Sequence, residues 1–117
     1  MATINNTGFK CFQATAVAIP AYTRVKVDSS GLISAAGNND AIGVVQEYVA
    51  ASGYGNVKLW SAPGSQFFLA GGAIAAAAAL YPAASGTVDD ATNGNLLGYV
   101  ALTAAASGDI VEAAPQL

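Results

Sequence analysis

Residues 71–82 read GGAIAAAAALYP, with five consecutive alanines at 75–79. Alanine is the strongest intrinsic helix former, so the stretch taken alone predicts a helix. Its flanks oppose that reading. Gly71 and Gly72 open the run and Pro82 closes it, leaving about ten residues, too few to hold a helix in water without packing support. The deciding observation lies elsewhere in the chain.

With a constant offset of 55 and no gap, SSGLISAAGNNDAIGVV (29–45) lies on ASGTVDDATNGNLLGYV (84–100). Ser30 and Gly31 fall on Ser85 and Gly86, Asn38 on Asn93, Gly43 on Gly98 and Val45 on Val100. AASG recurs at 50–53 and 105–108, and Phe12 falls on Phe67. In this frame the alanine run lies on VAIPAYTRVKV (17–27). Pro20 there disfavours a helix interior, and RVKV (24–27) alternates like a half-buried strand. The repeat therefore predicts an extended segment at 71–82, with a short turn near Ala75 to Ala78 and a strand at Leu80 and Tyr81. Small side chains at such a place let another backbone approach closely, which suits a packed interface.

Each copy follows one plan. An extended segment leads to a Ser-Gly turn, a short apolar pair and an Asn-rich loop, then to IGVV (42–45) or LGYV (97–100). After a second Ser-Gly turn comes a last strand, NVKLW (56–60) or DIVEA (109–113). Glycine and asparagine suit these turns because they tolerate left-handed backbone. The expected fold is mainly β, a compact β-barrel or β-sandwich of two pseudo-repeats at about 11–60 and 66–113, with at most short helical turns. Both copies belong to a single domain at 11–117. The polar segment MATINNTGFK (1–10) shows no periodicity and is expected to form a flexible N-terminal arm, or one that orders on a neighbour.

Composition narrows the function. The chain has 117 residues, enough for one domain with a real core, and only 9% of them are charged. Ordinary domains carry roughly a quarter. A weakly charged surface associates readily, so the deficit suggests faces covered by neighbouring subunits; a small domain rich in alanine, glycine and serine would share the composition. The net charge is −3, with only Lys10, Arg24, Lys26 and Lys58 basic, and no basic stripe is available to replace phosphate counterions. Nucleic acid is not an expected partner. Residues 67–84 run without a charge for 18 positions, but two glycines, a proline and missing basic flanks argue against a membrane span. Residues 1–10 carry no basic then apolar pattern, so no secretory signal is expected there.

The inventory offers little chemistry. There is no histidine, which removes the usual general base and the commonest metal ligand. Cys11, the one cysteine, is expected to be a buried thiol between Phe9 and Phe12. Asp89 and Asp90 would point to opposite faces of a strand and read as solvated turn residues. TVDDATNGN (87–95) lacks the closing glutamate of a calcium loop. Neither catalytic residues, a cofactor nor a metal site is expected. Among the aromatics, Trp60 and Tyr81 are candidates for a subunit contact, where such residues are enriched.

The segments AIPAYTRVKVDSSGLISAAGNNDAIGVV, AASGYGNVKLW and LLGYVALTAAASGDIVEA resemble the small capsid cement (decoration) proteins of tailed bacteriophages, over about 12–113. That resemblance implies a β-rich domain on the capsid exterior of a virion, made in the host cytoplasm and often trimeric. It implies the major capsid protein and further copies of the chain as partners, and stabilisation of the shell as the function. Candidate contacts to capsid or subunit are then Thr3, Ile4, Asn5, Asn6 and Phe9 of the arm, with Trp60 and Tyr81. The long alanine run departs from the family pattern. Two other classes remain compatible with the composition, a subunit of a bacterial surface layer or fibre and a β-rich ligand-binding module.

Overall fold

The computed structural model describes residues 8–37, 40–62, 64–92 and 96–115. β1 (Phe9–Gln13), β2 (Arg24–Val27), β3 (Ile33–Ala35), β4 (Gly43–Val45) and β5 (Tyr54–Leu59) form one antiparallel sheet in the order β1-β5-β4-β2-β3. β6 (Gln66–Leu69), β9 (Tyr99–Ala101) and β10 (Ile110–Pro115) form a second, ordered β6-β10-β9. β7 (Tyr81–Pro82) pairs with β8 (Val88–Asp89). An isolated bridge from Ala79 to Val100 links β9 to the start of β7. The second half thus runs β6-β10-β9-β7-β8, the strand order of the first half with one ladder reduced to a bridge.

Both sheets curl. Ala14 bridges Ile33 in parallel, and Ala70 bridges Val88 likewise, so the chain leaving the first strand of each half reaches its last. Neither half closes into a barrel with continuous ladders, and the fold is a mainly β arrangement of open antiparallel sheets. Inside the first curl lie Ala14, Ile19, Val25, Ile33, Val45, Val49 and Val57. Inside the second lie Phe68, Ala70, Ile74, Leu80, Val88, Tyr99, Ala101, Val111 and Ala113. Alternation places these side chains inward, since successive strand residues point to opposite faces.

Backbone hydrogen bonds recur between the halves at two offsets. Tyr22 N–H donates to Val45, and Ala77 N–H to Ala101; Ile42 donates to Val25, and Leu97 to Leu80. Ala14 donates to Gly53, and Ala70 to Asp109. The offset is 56 before residue 71, 55 from Ile74 to Leu97, and 56 again from Tyr99. The ungapped alignment therefore misses two compensating steps. The second copy is one residue shorter between Ala70 and Ile74, and Gly98 (φ 81°) is an extra residue that lets β9 resume in register. A positive-φ residue is well suited to such a bulge.

The alanine run contains no helix. Ile74 pairs with Ala105 and Ala79 with Val100, while Ala78 N–H closes a turn on the Ala75 carbonyl at 3.2 Å. Ala77 takes φ 66°, matching Tyr22 at φ 60° in the first half. The β-network, with its proline-bearing partner segment, overrides alanine propensity. Ala84–Gly86 makes a single 3-10 turn. Two expectations need correction. Cys11 is exposed, because β1 is an edge strand on which Cys11 faces outward beside Asn56, while Phe12 turns toward the core. The expected arm also overlaps structure, since Phe9 and Lys10 belong to β1; residues 1–7 lie outside the described residues.

Ala77 yields a prediction whose sign separates turn from helix. In a helix, Ala77→Gly would cost roughly 1 kcal/mol. At a left-handed position alanine is itself unfavourable by about 1 kcal/mol, so Ala77→Gly is expected to raise the urea midpoint.

Candidate functional site

Arg24 opens β2 and is fully buried. Its Nε donates to the Thr87 carbonyl at 3.1 Å. Its Nη2 donates to the carbonyls of Gly37 at 2.9 Å, Ala83 at 3.1 Å and Thr87 at 3.0 Å. One first-half side chain thereby holds two carbonyls of the second half. A planar guanidinium can serve acceptors in several directions at once, which a lysine ammonium cannot match. Burial pulls its pKa below the ordinary arginine value and Asp40 partly restores it; the group stays charged. Asp40 also accepts from the Gly37 N–H at 2.9 Å, which fixes the loop whose carbonyl Arg24 uses. The Lys26–Asp40 pair at 3.7 Å is exposed and adds little stability.

The 83–87 corner fits against β2 only because residue 86 is glycine. A Cβ there would stand 2.3 Å from Thr23 Cγ2 and 2.5 Å from the Arg24 carbonyl, and φ is 76°. Its equivalent in the first half, Gly31, has φ 80° with open space around it.

Aromatic residues complete the seam. Trp60 follows β5; its Nε1–H donates to the Ala41 carbonyl at 2.8 Å. The indole lies 6.1 Å from Phe68 and 5.7 Å from Tyr99 between ring centroids. Tyr22 meets Phe67 at 5.6 Å, and its carbonyl accepts the Leu69 N–H at 2.9 Å. Val44, also of the first half, is fully buried in the second half's core. Lys58 Nζ donates to the Ser65 carbonyl, and Ser65 Oγ donates to Glu112 at 2.7 Å. Burial pushes the Tyr99 hydroxyl pKa up.

The outer face of the second half is only partly covered, with Tyr22 of the first half reaching Phe67 at its edge. Register places Phe67 and Leu69 of β6, Ile110, Glu112 and Ala114 of β10, and Val100 of β9 on one side. Phe67 and Ile110 are each 41% exposed, and Leu102 just beyond β9 is 50% exposed. An apolar sheet face of this kind, rimmed by polar turns, is a candidate contact surface. Among the described residues no group of three His, Cys, Asp or Glu side chains could hold a metal, and no helix is long and apolar enough to cross a membrane.

The sequence-derived contact residues are scattered over this architecture. Thr3, Ile4, Asn5 and Asn6 lie outside the described residues. Phe9 starts β1 with Lys58 Nζ 5.9 Å from its ring centroid. Trp60 is engaged within the chain, at the seam. Tyr81 sits on β7, half-buried and paired with Asp89. Asp89 ends β8 and accepts the Ala91 N–H at 2.9 Å, while Asp90 accepts the Ala75 N–H at 3.1 Å and so ties down the alanine segment instead of only capping a turn. Arg24 was missed as a seam residue. The available signal was its repeat partner, an alanine in place of an arginine.

The fold has a solved counterpart. The N base of head fiber gp8.5 of bacteriophage phi29 matches with a TM-score of 0.73 and 19% sequence identity, covering 92% of this chain and 94% of that chain. At that identity the likeness establishes the fold. No family model matches the chain, and no curated protein matches it in sequence.

The seam generates two predictions. Arg24→Met should destabilise the chain by about 3 kcal/mol by removing the charge-assisted bonds that tie β2 to Gly37, Ala83 and Thr87, and Arg24→Lys should recover only a minor part; urea unfolding measures both. Gly31→Ala should cost about 1 kcal/mol for its left-handed backbone. Gly86→Ala should cost clearly more, because it also displaces β2, and equal losses at the two positions would contradict the packing described.

Proposed function

We propose that this chain is a structural protein of a phage head, placed on the capsid exterior, where it binds the major capsid protein and reinforces contacts between its subunits. One observation carries the reading: the fold matches the base of a phage head fibre over more than nine-tenths of both chains. Low charge and the open apolar face agree with a life spent packed against other proteins. The mechanism is physical and needs no catalytic group or cofactor. A protein that binds the mature lattice in preference to other states stabilises it by mass action, and contacts spanning several subunits raise the cost of separating them. Association of the chain with itself, as a homotrimer, would supply that multivalency.

A second reading is favoured by the same comparison. The matching structure is a fibre base, so the chain could serve as an anchor that decorates the head without reinforcing it. Undecorated expanded heads incubated with the purified protein separate the two. Reinforcement predicts co-sedimentation with the heads and a higher temperature of DNA release. Binding without a change in release temperature would select the anchor, and an absence of binding would overturn the proposal.

A further inference from the structure

The two halves share one strand order but differ in what covers them. Tyr22, Arg24 and Val44 of the first half lie under the second half, through Phe67, the 83–87 corner and the core around Phe68. Their equivalents by hydrogen-bond register are Ala77, Ala79 and Val100. This second face, Ala77, Ala79 and Val100, meets no third half within the chain. At the opposite end, the structures that receive the seam also have counterparts. Leu69 corresponds to Gln13, the 83–87 corner to the 28–32 corner, and Phe68 to Phe12. In the first half these are more open: a Cβ added at Gly31 would meet nothing within 4 Å, whereas one at Gly86 would run into Thr23 and Arg24. Val27 beside that corner is 41% exposed.

We propose that a second copy of this chain docks head to tail, its first half seated on the open sheet face of the second half and repeating the seam that joins the halves internally. The contact rests on the self-association included in the proposed function, and adds its geometry. It is heterologous: each copy offers a different surface at each end, so contacts propagate and close into a ring when the rotation allows. The internal seam shows that one face of this architecture packs against the receiving end of another. The alanines at 77 and 79 keep the second face low. The missing arginine makes this contact weaker than the internal one, as expected for copies that associate instead of folding together.

The register supplies the test. The Leu69 N–H to Tyr22 carbonyl bond becomes Gln13 of one copy against Ala77 of the next. In the full-length chain, with Cys11→Ser, the pair Gln13→Cys and Ala77→Cys should form disulfides between copies under mild oxidation, giving species beyond the dimer. Either cysteine alone should stop at dimers. Sedimentation should show a concentration-dependent mass above the 11.6 kDa monomer, lost in Val100→Glu while circular dichroism stays native. Ala79→Arg places a guanidinium opposite the neighbour's 28–32 corner and should tighten association about tenfold or more. Equal cross-linking of the single variants, a monomer at every concentration, or association unchanged by either Val100→Glu or Ala79→Arg would overturn the docking mode. Head binding by the same preparations is scored separately: heads bound without these cross-links sink the head-to-tail contact alone, and unbound heads sink the proposed function.

Discussion

A buried arginine joining backbone carbonyls of two sheets is the constraint around which this chain is arranged. Each half curls around its own apolar interior, but Arg24 ties β2 to the turn that follows β7 and fixes how the halves meet. A buried guanidinium is costly to desolvate, so it must be well supplied with acceptors. Gly37, Ala83 and Thr87 provide them. Asp40 orders the first of these, and Gly86 allows the corner carrying the other two to approach. Val44, cross-strand from the arginine, and Trp60, against Phe68 and Tyr99, then add apolar contact across the same seam. Polar groups set the register of the seam, while burial of these side chains supplies most of its driving force.

The same arrangement gives the molecule two unlike ends. Repetition of a strand order within one chain normally leaves terminal faces that must be capped by polar residues or by another copy. Here the second half ends in Val100, Leu102 and Ile110, with scarcely any charge to discourage contact. A face of this sort is consistent with a protein that works inside an assembly. Shape and packing, rather than a reactive group, then carry the role proposed for it.

Much of the fold could be read from the sequence, for identifiable reasons. The alanine run was recognisable as non-helical because its repeat partner carries Pro20 and RVKV, which speak for turn and strand. The glycines and asparagines marked the turns. The two one-residue steps were hidden, because Gly98 aligned on Gly43 looks like a match although hydrogen bonding places Tyr99 there. Cys11 was misjudged because neighbouring phenylalanines suggest a common environment, whereas strand alternation sends Phe12 one way and Phe9 with Cys11 the other. Arg24 gave no local sign of burial, since a charged residue in a strand ordinarily faces water. Only the fold shows that the second half sits over it. The open sheet face was equally illegible, because which side of a strand is covered depends on partners distant in sequence.

If Arg24 and its surroundings make the halves one cooperative unit, native-state amide exchange should show it most directly. Val25 in β2 and Leu80 before β7 lie in different cores, one on each side of the seam. Their amides should exchange through the same opening, with equal free energies and equal dependence on denaturant. Exchange of Leu80 through a smaller opening that leaves Val25 protected would contradict it, because the halves would then unfold independently.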